Sequence, residues 1–120
     1  MRMKRTITLK KNYEFRTVLT KGTYFSGNFI EGFMMKNKQE KNYLGIAIGT
    51  KIAKANKRNQ IKRLVRENYR LLEDRLKVGY TIVFLWKKKA DIGEANFHNI
   101  SKDMQRIFRK IGLFINEEDM

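Results

Sequence analysis

The sequence predicts an α+β domain in which helices cover a mostly antiparallel or mixed sheet. Three observations carry that expectation. Tyr43–Gly49 and Tyr80–Trp86 are apolar runs with strand length and β-branched content. Three other stretches repeat apolar residues at helical spacing. The chain has 120 residues and no proline, so one domain over residues 1–120 is expected, with a single core and no Pro-rich linker.

The elements follow in order. Leu9–Lys21 reads as a helix: Leu9, Phe15, Val18 and Leu19 share one side, and Gly22 follows as a stop signal. Gly22–Ser26 is read as a short strand. Asn28–Lys36 has strand character around Phe29, Ile30, Phe33 and Met34, and Asn37–Asn42 is a polar turn. Tyr43–Gly49 is a buried strand. Asn56–Leu76 is the long helix. Tyr80–Trp86 is the strongest strand, entered through Val78 and Gly79 and ended by Lys87–Lys89. Ile92–Ile111 is a closing helix with Phe97, Ile100, Met104, Ile107, Phe108 and Ile111 inward, and Gly112 stops it. Residues 116–120 form an acidic tail expected to fray. The order is α-β-β-β-α-β-α.

Charge narrows the function. There are 27 Lys and Arg against 12 Asp and Glu, a net charge of +15. Residues 1–21 carry +6 of this and Lys51–Arg70 carries +7, while residues 22–50 and 71–120 carry +1 each. Such one-sided clustering fits a surface that docks a polyanion. The absence of cysteine removes disulfides and thiolate metal sites and fits a cytoplasmic protein. No apolar stretch approaches the ~20 residues that span a bilayer. The basic start MRMKRTITLKK lacks the apolar core of a signal peptide. Neither metal-ligand spacing nor a nucleophile–base pair stands out. His98, the single histidine, reads as a surface residue of the last helix rather than a general base. The polypeptide alone is therefore not expected to be catalytic or to hold a cofactor.

The long helix resolves further. At ~100° per residue, Ile61, Leu64, Val65, Leu71 and Leu72 form one stripe. Arg58, Asn59, Lys62, Arg63, Arg66 and Arg70 fall roughly opposite. Positions 58, 62, 66 and 70 are four apart and stack along the axis, where like charges repel by a few tenths of a kcal/mol per pair. A phosphate backbone reverses that penalty, and arginine suits forked phosphate contacts. Asn59 can both donate to and accept from a base edge or a 2′-hydroxyl. A membrane-surface helix would want Trp or Phe on its apolar face, and this one is aliphatic.

The segment Ala55–Glu67 resembles the arginine–asparagine–arginine signature of the bacterial ribonuclease P protein subunit, through Ala55, Arg58, Asn59, Ile61, Lys62, Arg63, Arg66 and Glu67. Leu9-Lys10-Lys11-Asn12 with Glu14-Phe15 and Lys21-Gly22 is similar to that family's opening helix. Gly45-Ile46-Ala47-Ile48 followed by Lys51 is similar to its strand leading into the signature. Asn56, Ala53 and Gly49-Thr50 depart from the family pattern in and before the signature helix. The resemblance implies a two-layer α/β sandwich with a left-handed β-α-β crossover, like a domain of a small-subunit ribosomal protein. It implies a monomer bound one-to-one to a large catalytic RNA, the two together removing the 5′ leader of precursor tRNA, with chemistry carried by the RNA and its Mg²⁺.

The same resemblance implies two surfaces. The catalytic RNA would meet Lys51, Lys54, Lys57, Arg58, Asn59, Lys62, Arg63, Arg66 and Arg70. The leader would meet Lys11, Tyr13, Phe15, Arg16, Leu19 and Phe33 in a cleft between the first helix and the sheet. Phe15 and Phe33 match the family's aromatic cleft positions, whereas Leu19 lies where another aromatic is common. Aromatic floors edged by cations suit single strands of any sequence, but Phe15 and Phe33 read equally as core. Tyr24 and Phe25 are weaker cleft candidates. Lys87 is either a phosphate contact or a soluble strand end. The alternative function is a non-enzymatic, ribosome-associated RNA-binding protein of the same fold.

Overall fold

The computed structural model describes residues 4–116. Strand β1 (Thr6–Thr8) leads to helix α1 (Asn12–Lys21), β2 (Thr23–Ser26), β3 (Ile30–Lys36) and β4 (Asn42–Ala47). Helix α2 (Ala55–Leu72) runs into a 3₁₀ turn at Glu73–Arg75, followed by β5 (Tyr80–Trp86), a 3₁₀ turn at Ile92–Glu94 and α3 (Phe97–Lys110). The five strands form one sheet in the order β1-β4-β5-β3-β2. β1, β4 and β5 are parallel neighbours, and β3 runs antiparallel to both β5 and β2.

Alternation along the strands sorts the side chains into two cores. Ile82, Phe84 and Trp86 of β5 join Ile30, Leu44, Ile61, Val65, Tyr69, Ile100, Met104, Ile107 and Phe108 in the main core, beneath α2 and α3. Each fully buried large side chain there contributes ~1.5–3 kcal/mol by leaving water. Val83 and Leu85, one residue out of step, face α1 and pack with Leu9, Phe15, Val18 and Phe33. The sandwich expected from the sequence is thus present. Its main layer pair is the sheet with α2 and α3, and α1 partly covers the opposite face.

Several boundaries differ from the sequence expectation. β1 was not anticipated. Its three residues pair with Asn42, Tyr43 and Leu44. The first helix starts at Asn12, not Leu9, because Leu9 stays extended and donates its N–H to the Leu44 carbonyl at 2.8 Å. Glu14 then accepts from the Lys11 N–H at 3.2 Å and closes the first turn. α2 ends at Leu72, not Leu76. Glu73 turns inward, 4% exposed, and its carboxylate accepts the Lys4 and Arg5 N–H groups at 3.0 and 3.1 Å. The last helix begins at Phe97, not Ile92, because the Asn96 side chain caps the Asn99 N–H at 2.9 Å. Ile92 to Glu94 form a separate turn closed by Asp91. Of the acidic tail, residues 117–120 lie outside the described residues.

The inward faces also shift. Leu71, placed in the α2 stripe by periodicity, is 64% exposed, and Phe97 of α3 is 41% exposed. On α2 the inward face includes instead Tyr69 and Asn68, both buried. The Tyr69 hydroxyl shares a 2.8 Å hydrogen bond with Thr6 Oγ1, and Asn42 Nδ2 donates to it at 3.4 Å. Burial holds the Tyr69 phenol above its ordinary pKa, so it stays protonated. Asn68 donates to the Leu64 carbonyl at 2.9 Å.

Candidate nucleic-acid interface

The outward face of α2 is basic and unpaired. Arg63, Arg66 and Asn59 are exposed, and Arg70 is half-buried on the same side. At ~100° per residue these four lie within an arc of ~60°, directly away from Ile61, Val65 and Leu72. Among the described residues, none of Lys62, Arg63, Arg66 or Arg70 forms an ion pair with a carboxylate, in contrast to Arg106 of α3, which lies 3.9 Å from Asp103. The N-terminal turn adds to the field. It contains no acid, and Lys54 stands at its cap without a side-chain capping bond. Cations at the positive end of a helix dipole are unfavourable unless an anion joins them. Lys51 and Lys54 are exposed in the preceding loop, and Lys57 is half-buried.

The straight row of Arg58, Lys62, Arg66 and Arg70 needs correction. Four-residue steps drift ~40° around a helix at 3.6 residues per turn. Arg58 and Lys62 therefore sit at the edge of the buried face, both half-buried, while Arg66 stands free. Arg58 also braces the backbone, because its Nη1 donates to the Ala53 carbonyl at 2.7 Å. The Ile52 N–H donates to the Gly49 carbonyl at 3.0 Å. Together these bonds shape the loop where the sequence departs from the family pattern.

On the opposite face, α1 crosses the sheet above Gly45, Val83 and Phe33, which occupy one row of the ladder. A Cβ on Gly45 would lie 2.6 Å from the Phe15 ring, so glycine is what lets that ring rest on the β4 backbone. Phe15 and Phe33 are half-buried in the small core beneath α1. They are thus packed against that core and partly open to solvent. Tyr24 extends the surface: its ring centroid is 5.4 Å from that of Phe33, and its hydroxyl donates to Glu31 at 2.7 Å. Leu19 is 36% exposed, and Arg16 is exposed on the same flank of α1. Phe25, by contrast, is main core. Lys87 Nζ donates to the Gly27 carbonyl at 3.1 Å, which ties it to the β2–β3 connection.

Lys11 and Tyr13 do not join Phe15. They sit on the other flank of α1, with the Lys11 ammonium 5.7 Å from the Tyr13 ring centroid. Tyr13 lines a cavity of about 460 Å³ with Thr17, Met35, Gln39, Tyr43 and Thr81, among others, and none of Phe15, Arg16, Leu19 or Phe33 reaches it. Tyr43, Met35 and Gln39 were not singled out from the sequence. His98 is exposed, as expected. Among the described residues, no three His, Asp or Glu side chains come together in a metal-like cluster. No helix among them is long and apolar enough to cross a membrane.

The family model for Ribonuclease P matches residues 3–112. The chain belongs to the ribonuclease P protein family. The family supplies the protein subunit of ribonuclease P, the ribonucleoprotein endoribonuclease of tRNA 5′ processing, and so acts with the ribonuclease P RNA. The ribonuclease P protein component of Caldanaerobacter subterraneus is 36% identical over 110 residues, covering 92% of this chain and 93% of that one. The component from Fusobacterium nucleatum is 38% identical over 104 residues, covering 85% and 94%. Among solved structures, the Staphylococcus aureus ribonuclease P protein superposes with a TM-score of 0.78 at 22% identity, over 89% of this chain and 96% of that one. The Thermotoga maritima ribonuclease P protein gives 0.78 at 24%, over 87% and 96%. At these identities the structures bear on the fold, and the fold agrees. The family assignment also removes the alternative of a ribosome-associated protein.

Proposed function

We propose that this chain docks the catalytic ribonuclease P RNA along the outward face of α2 and takes the 5′ leader of precursor tRNA on the α1 face of the sheet. The observation that carries the reading is the unpaired arc of Asn59, Arg63, Arg66 and Arg70 on a helix whose back is fully engaged in the core. Lys51, Lys54, Lys57 and Lys62 border that arc and add field. Arg58 acts chiefly through the loop it holds. On the other face, Phe15, Phe33 and Tyr24 offer aromatic surface to unpaired bases, edged by Arg16 and Leu19. Stacking there tolerates any leader sequence.

The chemistry belongs to the RNA. We assign the Mg²⁺ of the reaction to the holoenzyme, whose RNA phosphates supply the hard oxygen ligands that ion prefers. The protein works as a monomer, one per RNA, in the cytoplasm.

Reconstitution tests the whole reading. With a bacterial ribonuclease P RNA at low Mg²⁺, added protein should speed precursor tRNA cleavage, and a rate equal to that of RNA alone would refute it. Phe15→Ala tests the leader surface. It should weaken precursor binding by roughly fivefold or more, the loss of one stacked base, and leave mature tRNA binding unchanged. An equal loss for both would make Phe15 purely core.

A further inference from the structure

On the reading that α2 docks the catalytic RNA, we infer that Glu73 is a positioning residue of that interface. Its buried carboxylate mounts Lys4 and Arg5 at the C-terminal end of the basic arc, where their side chains meet further phosphates of the same RNA.

An exposed acid would be out of place where Glu73 stands. It follows Arg70 by three residues and lies within about 60° of it around the helix. A free carboxylate there would cancel part of the field that Arg63, Arg66 and Arg70 hold toward a polyanion. Glu73 is instead 4% exposed. Its Oε1 accepts the Lys4 N–H at 3.0 Å and its Oε2 accepts the Arg5 N–H at 3.1 Å. Both oxygens are thus engaged by backbone, while Lys4 and Arg5 are themselves exposed. Among the described residues, neither forms an ion pair with a carboxylate. The end of the arc therefore presents two cations where the sequence of α2 alone would present an anion.

The mount is rigid. The Arg5 carbonyl accepts the Asn42 N–H at 2.8 Å, and Thr6 Oγ1 shares its 2.8 Å hydrogen bond with the Tyr69 hydroxyl, one turn before Glu73 on α2. Residues 4, 5 and 6 are each fixed to α2 or β4. β1 has only three residues, at the lower limit of strand length, and the Glu73 bonds extend its hold on the molecule. Closing the strand needs only two N–H groups, which any residues but proline supply. Lysine and arginine add outward charge that the closure does not use. The start of one basic segment, residues 1–21 at +6, is thereby brought against the end of the other, Lys51–Arg70 at +7. Cations gathered on one surface add their phosphate contacts to a single salt-dependent affinity.

The test is assembly with ribonuclease P RNA across a salt series, and its decisive feature is a sign. Glu73→Ala makes the protein more positive, so attraction by net charge alone would tighten binding. Loss of the mount should instead weaken it about tenfold at moderate salt, with a slope shallower by one to two units. Lys4→Ala with Arg5→Ala should produce the same loss. Both residues are exposed, so that variant keeps its fold even where Glu73→Ala is unstable. Adding Glu73→Ala to the double variant should cost nothing further, because the residues act as one unit. Glu73→Gln, which keeps a carbonyl acceptor, should recover part of the affinity. The inference is overturned if Glu73→Ala binds as tightly as the unaltered protein or more so, or if the double variant keeps its full slope. It is overturned equally if Glu73→Ala weakens binding as much without the Lys4 and Arg5 side chains as with them. If Arg63, Arg66 and Arg70 replaced by alanine still flatten the slope, such a failure strikes Glu73 alone. A full slope in that variant as well would refute the docking of RNA on α2.

Discussion

Asp103→Ala should lower the stability of this protein by about 3–5 kcal/mol, more than any other single substitution of a charged residue. Asp103 is 1% exposed on α3. Its two oxygens accept three consecutive backbone N–H groups, from Asn28 at 2.7 Å, Phe29 at 2.6 Å and Ile30 at 2.9 Å. The carboxylate thereby fastens the last helix to the β2–β3 connection. The loop closes tightly on it: a Cβ at Gly27 would lie 2.6 Å from the carboxyl carbon. Removing the carboxylate strands one buried and two part-buried donors at once, and a buried donor left unsatisfied costs roughly 1–3 kcal/mol. Asp103→Asn keeps one carbonyl acceptor and should cost about half as much. Urea unfolding should show the midpoint shifted with an unchanged slope. A loss below about 1 kcal/mol for the alanine variant would mean that the loop holds itself.

The second large effect lies on α2. Replacing Arg63, Arg66 and Arg70 together with alanine should weaken assembly with the catalytic RNA on the order of a hundredfold at moderate salt. Each lost phosphate contact also removes about one unit from the slope of log K against log salt. The fold should survive, because Arg63 and Arg66 are exposed and none of the three is ion-paired among the described residues. Arg58 is left in place for the opposite reason. Its bond to the Ala53 carbonyl means that Arg58→Ala would mix a lost charge with a loosened loop.

Which parts could be read in advance follows from where their determinants lie. β5 came out at its true bounds, because a continuously apolar run between Gly79 and Lys87 needs only local information. The basic helix was equally visible, since charge and periodicity sit in one segment. β1 was missed because three residues carry too little pattern, and its existence depends on β4 36 positions later. The inward faces of α2 and α3 were misjudged at Leu71 and Phe97 because periodicity weighs hydrophobicity alone. Tyr69 owes its buried place to Thr6 and Asn42, at 63 and 27 positions' separation. Asp103 and Glu73 looked like scattered acids for the same reason, with backbone partners 68 to 75 residues away.

The candidate sites divide along that line too. The separation of Tyr13 from Phe15 follows from helix angle, about 160° apart at ~100° per residue, and was available without coordinates. The cavity was not, since Gln39, Tyr43 and Thr81 reach it from three different segments. The sequence likewise could not distinguish Arg58, which holds a loop, from Arg66, which faces solvent.

The claim that one face of α2 meets the RNA is tested most directly by comparing two charge-matched variants. One carries Arg63, Arg66 and Arg70 replaced by alanine. The other carries Lys102, Arg109 and Lys110 replaced on α3, all three exposed. Both lose three positive charges, so long-range attraction falls alike. Assembly with ribonuclease P RNA is then measured across a salt series. The α2 variant should lose about three units of slope and the α3 variant less than about one. Equal losses would mean that the RNA responds to net charge and that α2 has no privileged face.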